Sequence, residues 1–354
     1  MAKSRRAGAM LSRDGPANVR AGMPAPSAWA CHPYRRRASA WHPGLGSASL
    51  RLVLRRLGWG VVTLACVYAV TFVMVISVPG NPVQQGARNL PPAAAQALRV
   101  RYSMDNNWRY FGEFAWGALR GDFGPTFMYA DWTCNQIIAQ ALPVSAVLGV
   151  LAIALAVLIG VPAGVLSAVR RDRWFDWLTL GCVLVGISLP TFVTGSVLLL
   201  VFAVYLHVVP IGGWGTLAHL PLPAVTLALP FAAYITRLTR VGMLDVLGSD
   251  FIRTARAKGL SRRTVIWKHA LKPAALPVLS YLGPATAQAM TGSFVVEKVF
   301  AVPGLGQHFV NAALNHDPGL ILSTVLVLAA LLIAFNIMVD VLYAWVDPRI
   351  KGAV

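Results

Sequence analysis

Charge is scarce in this chain of 354 residues: Asp, Glu, Lys and Arg together make up 12% of it, and only 13 side chains are acidic. A soluble globular domain carries about twice that fraction of charge, so the composition excludes one. Cysteine is also sparse. Cys31, Cys66, Cys134 and Cys182 are scattered, with no C-x-x-C pair, and only Cys134 lies in a segment where a disulfide could persist. Neither a zinc site nor a disulfide framework is supported. No G-x-x-x-x-G-K-[ST] stretch occurs anywhere, which excludes a phosphate-cradling loop of that kind. The first 50 residues contain no apolar run long enough for a signal-peptide core.

What the chain does have is apolar length. It is 56% hydrophobic with a mean hydropathy of +0.61, the composition of an integral membrane protein. From Gly58 to Pro79 there is no charged residue, and at about 1.5 Å per helical residue that run crosses a bilayer core of about 30 Å. Further uncharged runs lie at Ala141–Val169, Leu178–Leu206, Leu222–Thr236 and Ala274–Val296, and an apolar run whose one charged residue is Asp340 lies at Leu320–Trp345. The expectation is an all-α polytopic membrane protein with six transmembrane helices, the fourth continuing past Arg237 into water.

The net charge of +18 is distributed as a topology signal. Residues 1–56 carry eleven Lys or Arg against Asp14, residues 170–176 carry three Arg against two Asp, and residues 237–272 carry nine basic against two acidic side chains. The alternating segments 80–137, 207–220 and 297–319 are poor in basic excess. The positive-inside rule therefore puts both termini in the cytoplasm. With the charge so explained, nucleic-acid binding is not expected.

Residues 1–50 are rich in Arg, Ala, Pro, Gly and Ser without helical or strand period, and are expected to be a disordered basic tail. Met10 and Met23 are alternative starts. The most basic island between two apolar runs is "RTARAKGLSRRTVIWKHALKP", residues 253–273. Phe251–Lys258 is helix-tolerant, Gly259 suits a left-handed C-cap, Ser261 can cap a second helix, and Pro273 limits or kinks its far end. One reading is an amphipathic anchor on anionic lipid through Arg253, Arg256, Arg262 and Arg263. The other is a rigid elbow between two spans that transmits movement from a cytoplasmic partner.

The segment resembles the EAA loop of ABC importer permeases. Aligned on Gly259, Ala255, Gly259 and Leu271 keep the general pattern, while Arg253 and Thr254 replace its Glu and first Ala. "DFIRTARAKGL" at 250–260 is similar to the form in the oligopeptide, dipeptide and nickel permease branch. "RGDFGPTF" at 120–127, "LPTFV" at 189–193, "FAVPGLG" at 300–306 and "VDVLYAWVDPRI" at 339–350 follow in that branch's order. The resemblance covers roughly residues 51–351.

It implies a type I ABC importer permease fold: residues 51–136 with the first span and an extracytoplasmic segment, 137–346 as the permease core, and 347–354 as a cytoplasmic C-terminus. It further implies a permease subunit for peptides or similar small cargo, not an enzyme and binding no cofactor itself. Expected partners are a second permease subunit in a heterodimer, two cytoplasmic ATPases that use ATP, an extracytoplasmic binding protein and membrane lipid, all at a bacterial plasma membrane. The coupling loop would comprise Asp250, Arg253, Thr254, Ala255, Arg256, Lys258, Gly259, Ser261 and Leu271. Glu297, Pro303 and Gly304 would lie at an outer gate, where Glu297 either meets a cationic group of cargo or binding protein or merely marks the interface.

Two further sets of residues are weighed. Asp340, four residues after Asn336, lies inside the last apolar run; it has no acidic companion in another run, which favours a structural partnership over a proton relay and counts against an ion-coupled carrier or channel. His207, His219, His308 and His316 fall in segments assigned outside, without the spacing of a built metal site.

Overall fold

The structure, a computed structural model, describes residues 47–77, 93, 106–126, 129, 131–291 and 293–346, with the backbone alone over 47–53 and 339–346. Most of the expected tail, the C-terminus and the side chain of Asp340 lie outside the described residues. The tail's expected boundary at residue 50 shifts slightly, because α1 already begins at Ser47 and runs to Ser77.

Among the described residues the fold is all-helical. After α1 come α2 (Asn107–Leu119), α3 (Cys134–Val169) and α4 (Trp174–Ser188). Next are α5 (Thr191–Leu198), prolonged by a π-helical stretch Leu199–Tyr205, and α6 (Pro221–Leu247). A basic elbow follows, made of α7 (Asp250–Ala257) and α8, which spans 262–274 and contains a π-helical stretch Val265–Ala270. The chain closes with α9 (Leu276–Thr291), α10 (Phe294–Val299), α11 (Leu305–Leu314) and α12 (Pro318–Val346).

Among the described residues, four stretches are long and apolar enough to cross a membrane: Leu54–Ser77, Cys134–Val169, Leu217–Leu247 and Pro318–Met338. The uncharged run expected as a single span over 178–206 is instead two helices bent by 109°. The break falls at Leu189, whose backbone is extended (φ −81°, ψ 129°). Pro190 clashes with a helical conformation of the residue before it, so the helix must stop there. The run expected over 274–296 is likewise divided between α9 and α10, and neither piece has the length of a span. The helix runs through Pro284 and ends at Thr291, where small polar residues of low helix propensity follow. Hydropathy sees the absence of charge but not these interruptions.

Helices α3 and α6 form the centre, and small residues let them meet. A methyl group on Gly160 would stand 2.8 Å from the carbonyl oxygen of Ala232, and one on Gly164 2.6 Å from that of Thr236. This is the close backbone approach that a Gly-x-x-x-Gly face permits in the absence of a hydrophobic drive between helices in lipid. Leu148, Ala152, Ala156, Ala224, Ala228 and Ile235 fill the contact, with Val278 and Ala289 of α9 against it.

Candidate functional site: a basic elbow and its mounting

The elbow has the helix–turn–helix form read from its residues. At the end of α7 the N–H of Gly259 donates to the carbonyl of Arg256 (3.0 Å) and that of Leu260 to the carbonyl of Ala255 (3.4 Å). With Gly259 at φ +76°, these are the two bonds of a Schellman termination, which needs a left-handed residue at this point. Ser261 then caps α8, its Oγ accepting from the Thr264 N–H at 3.3 Å. No atom of the chain lies within 4 Å of where a Gly259 side chain would begin.

The two faces of the elbow differ. Ile252, Ala255, Val265, Ala270 and Ala274 are buried and pack on Val165 and Ala168 at the end of α3 and on Met243 of α6, with Leu271 half-buried beside them. At Gly242 the backbones of α6 and α8 nearly touch, since a methyl group there would stand 2.6 Å from the Ala274 carbonyl oxygen. Asp250, Arg253, Thr254, Arg256, Lys258, Gly259 and Ser261 are exposed. Of the nine residues expected to make up the coupling loop, Ala255 and Leu271 lie on the inner face and hold the elbow to the spans. A groove of about 450 Å³ opens between the ends of α3 and α6 and the elbow, with Arg256, Leu260 and Arg262 on its rim.

Beside this mounting lies a buried ion pair that sequence reasoning missed. Asp176, in the first turn of α4, accepts from Arg240 of α6 at both oxygens (Nε to Oδ1 2.7 Å, Nη2 to Oδ2 2.8 Å). The Ser167 hydroxyl of α3 and the Asp172 N–H also donate to it. In the sequence both residues count only toward the charge of their segments. The carboxylate joins three elements at Arg240, two residues from Gly242, so the spans that carry the elbow are locked together at that end.

The residues expected at an outer gate lie at the opposite end of the core. Glu297 is fully buried. Its Oε1 accepts from Ser145 (2.7 Å) and Ser293 (2.5 Å), and its Oε2 from the N–H groups of Gly306 (2.8 Å) and Gln307 (3.1 Å). The carboxylate thus serves the first turn of α11, whose free N–H groups attract negative charge. Ser145 completes the knot by accepting from the Leu305 N–H at 2.9 Å. A side chain on Gly304 would collide with the Glu297 carboxylate. Glu297 and Gly304 consequently have no surface to offer to cargo or to a binding protein, and Pro303 alone of the three is exposed.

The histidines remain dispersed: His207 is exposed, His219 bonds Thr216 Oγ1 at 2.7 Å, and His308 lies edge-on to Tyr129. Among the described residues no group of three or more His, Cys, Asp or Glu could hold a metal ion.

A bundle of apolar spans with a basic elbow mounted on its two central helices is the arrangement expected of the membrane part of an ABC importer permease. More particularly, the chain belongs to the family described as binding-protein-dependent transport system inner membrane component, whose model matches residues 160–352. It is 45% identical over 306 residues to the oligopeptide transport system permease protein OppB of Escherichia coli K12, covering 85% of this chain and 99% of that protein. To the dipeptide transport system permease protein DppB of Lactococcus lactis it is 36% identical over 303 residues, covering 85% and 99%. Among solved structures it is similar to a chain of the MetNI methionine ABC transporter in an inward-facing form (TM-score 0.48, 20% identity, 60% of this chain and 97% of that one).

Proposed function

We propose that this chain is one of two permease subunits of an ATP-driven importer that passes peptides across a bacterial inner membrane after delivery by an extracytoplasmic binding protein. The near full-length similarity to oligopeptide and dipeptide permeases supports the choice of cargo. The observation that carries the mechanism is the elbow: a Schellman turn at Gly259 sets two short helices at a fixed angle, with a charged outer face and an apolar inner face fused to α3 and α6. On this reading two ATPases, which bind and hydrolyse the ATP, seat against Asp250, Arg253, Thr254, Arg256, Lys258 and Ser261. Their approach moves α3 and α6 because the elbow cannot flex independently of them. The path has six spans with both termini in the cytoplasm, α9 with α10 and the bent pair α4–α5 counting as one span each, an orientation supported by the alternating basic excess.

The test is uptake of a labelled tripeptide into proteoliposomes holding this chain, its co-encoded second permease and the ATPases, with the binding protein supplied on one side. Uptake that requires ATP and ignores a protonophore is expected. Uptake that continues without hydrolysis and collapses with the proton gradient would replace this reading with an ion-coupled carrier.

A further inference from the structure

The helix α2 has three chemically different sides. At about 100° per residue, Tyr110, Phe111, Phe114 and Ala118 fall on one side, Trp108, Gly112, Trp116 and Leu119 on another, and Arg109, Glu113 and Arg120 between them. The first side packs on Tyr68 and Phe72 of α1 and on Leu322 and Leu326 of α12, with the Tyr68 hydroxyl donating to the Phe111 carbonyl at 2.7 Å. The third is polar and paired, Arg109 Nε standing 2.8 Å from Glu113 Oε1. The second is apolar and largely exposed: Trp108 is 83% exposed, Trp116 56% and Leu119 81%.

Depth decides what covers that side. The uncharged stretch of α1 after Arg56, residues 57–77, is about 31 Å long at 1.5 Å per residue, which matches a hydrocarbon core of about 30 Å and places Ser77 near its edge. Tyr68 and Phe72 lie about 7–13 Å inside that edge along α1, and Leu322 and Leu326 lie about 6–12 Å from the start of α12. A helix packed against these four residues is level with one leaflet, not above it in water. Its apolar side then meets lipid, and indoles suit that position because an apolar ring and a polar N–H fit the headgroup boundary. The guanidinium of Arg120, 4.6 Å from the Trp116 ring centre, is placed to reach upward to phosphate.

We infer that α2 is an interfacial helix whose Trp108–Trp116–Leu119 side is bedded in the leaflet at the Ser77 end of α1, bracing α1 and α12 against the bilayer. This goes beyond the transport reading and does not depend on cargo.

The experiment uses the complete importer in lipid nanodiscs with one nitroxide at a time, through Trp108→Cys, Gly112→Cys or Leu119→Cys on the apolar side and Arg109→Cys or Glu113→Cys on the polar side. Collision with oxygen, which concentrates in lipid, is compared with collision with a water-soluble nickel chelate. The oxygen-to-nickel ratio is expected to be at least about threefold higher on the apolar side, as for a helix sunk some 5–10 Å into the interface. Gly112→Cys retains both indoles and has open space around its side chain, so it reads this side even if a tryptophan variant fails to assemble. A nickel-dominated ratio there would mean a wet docking face and overturn the inference. Low collision with both reagents would mean coverage by another subunit or the binding protein, and would overturn it equally.

Discussion

Glu297 and Ser145 are 152 residues apart in the chain, yet the Ser145 hydroxyl donates to the Glu297 carboxylate at 2.7 Å in a site sealed from solvent. The bond ties α3 to α10 and, through the Leu305 N–H, to the start of α11. Glu297→Ala would strand two hydroxyls and two N–H groups in the core, and unsatisfied buried groups cost about 1–3 kcal/mol each before relaxation. A large loss of thermal stability in detergent is expected, read by size-exclusion after heating. Ser145→Ala should cost less, about 1–2 kcal/mol, and the double variant should be markedly non-additive. Independent, additive effects would show that the knot is not a unit.

The Asp176–Arg240 pair makes a second prediction. Its members are nearly buried, with side chains 3% and 18% exposed. Removing one partner of such a pair leaves a stranded charge and typically costs about 3–5 kcal/mol. Arg240→Met and Asp176→Asn should therefore each lower the yield of folded permease, whereas exchange of the exposed Arg171 should not. Joint replacement of Asp176 and Arg240 by apolar residues should recover part of the loss, since no charge is then left unpaired. No recovery would point to a separate role for the guanidinium.

His308 allows a prediction about pH. Burial holds its imidazole below the ordinary histidine pKa, so in the folded protein it stays neutral while the unfolded chain takes up a proton. Stability is then fully present above the ordinary value of about 6.5 and declines as pH falls from there toward the depressed folded pKa. Replacing His308 by Asn should flatten this part of the profile of melting temperature against pH. An unchanged profile would assign the acid sensitivity to other groups.

The parts of this fold that sequence reasoning reached are those set by neighbours in the chain. Gly259, Ser261 and the helix-tolerant residues around them specify the elbow locally, and charge-free length specifies α1, α3 and α12. The knots at Glu297 and Asp176 depend on partners 152 and 64 residues away, and nothing near either carboxylate announces them. An acid beside a lysine at the end of an apolar run shows in the sequence neither its burial nor the hydroxyl and N–H groups that it serves. Pro190 announces a bend, but the run around it is uncharged, so length alone marks one span and leaves the angle of the bend unspecified. Sidedness follows from charge in the same way and can be checked directly.

Ser261 and Asn315 are both exposed but lie in segments assigned to opposite sides. In a background with the native cysteines replaced, single cysteines at these positions should react differently with an impermeant thiol reagent in spheroplasts. Labelling is expected at position 315 and only after lysis at 261. The reverse pattern would invert the topology and, with it, the side on which ATPases could bind.

Gly259 separates strain within the chain from contact with a partner. Any side chain there adopts a left-handed backbone at a cost of about 1–2 kcal/mol, more awkward for a β-branched residue than for alanine. The chain itself has room for the added atoms, and a loss of that size is small for a bundle held by α3, α6 and the lipid. Gly259→Ala and Gly259→Val should both insert and pair with the second permease. Their difference should appear at the ATPases: if the turn seats against them, the larger side chain collides there, and binding-protein-stimulated hydrolysis should fall further for Val than for Ala. Ser261→Ala removes the cap of α8, worth about 0.5–2 kcal/mol, and adds no volume, so a loss there reports on the cap and the hydroxyl rather than on crowding. Equal recruitment and stimulated hydrolysis in Val, Ala and wild type would mean that the turn meets no protein, and the basic face of the elbow would then be assigned to anionic lipid instead.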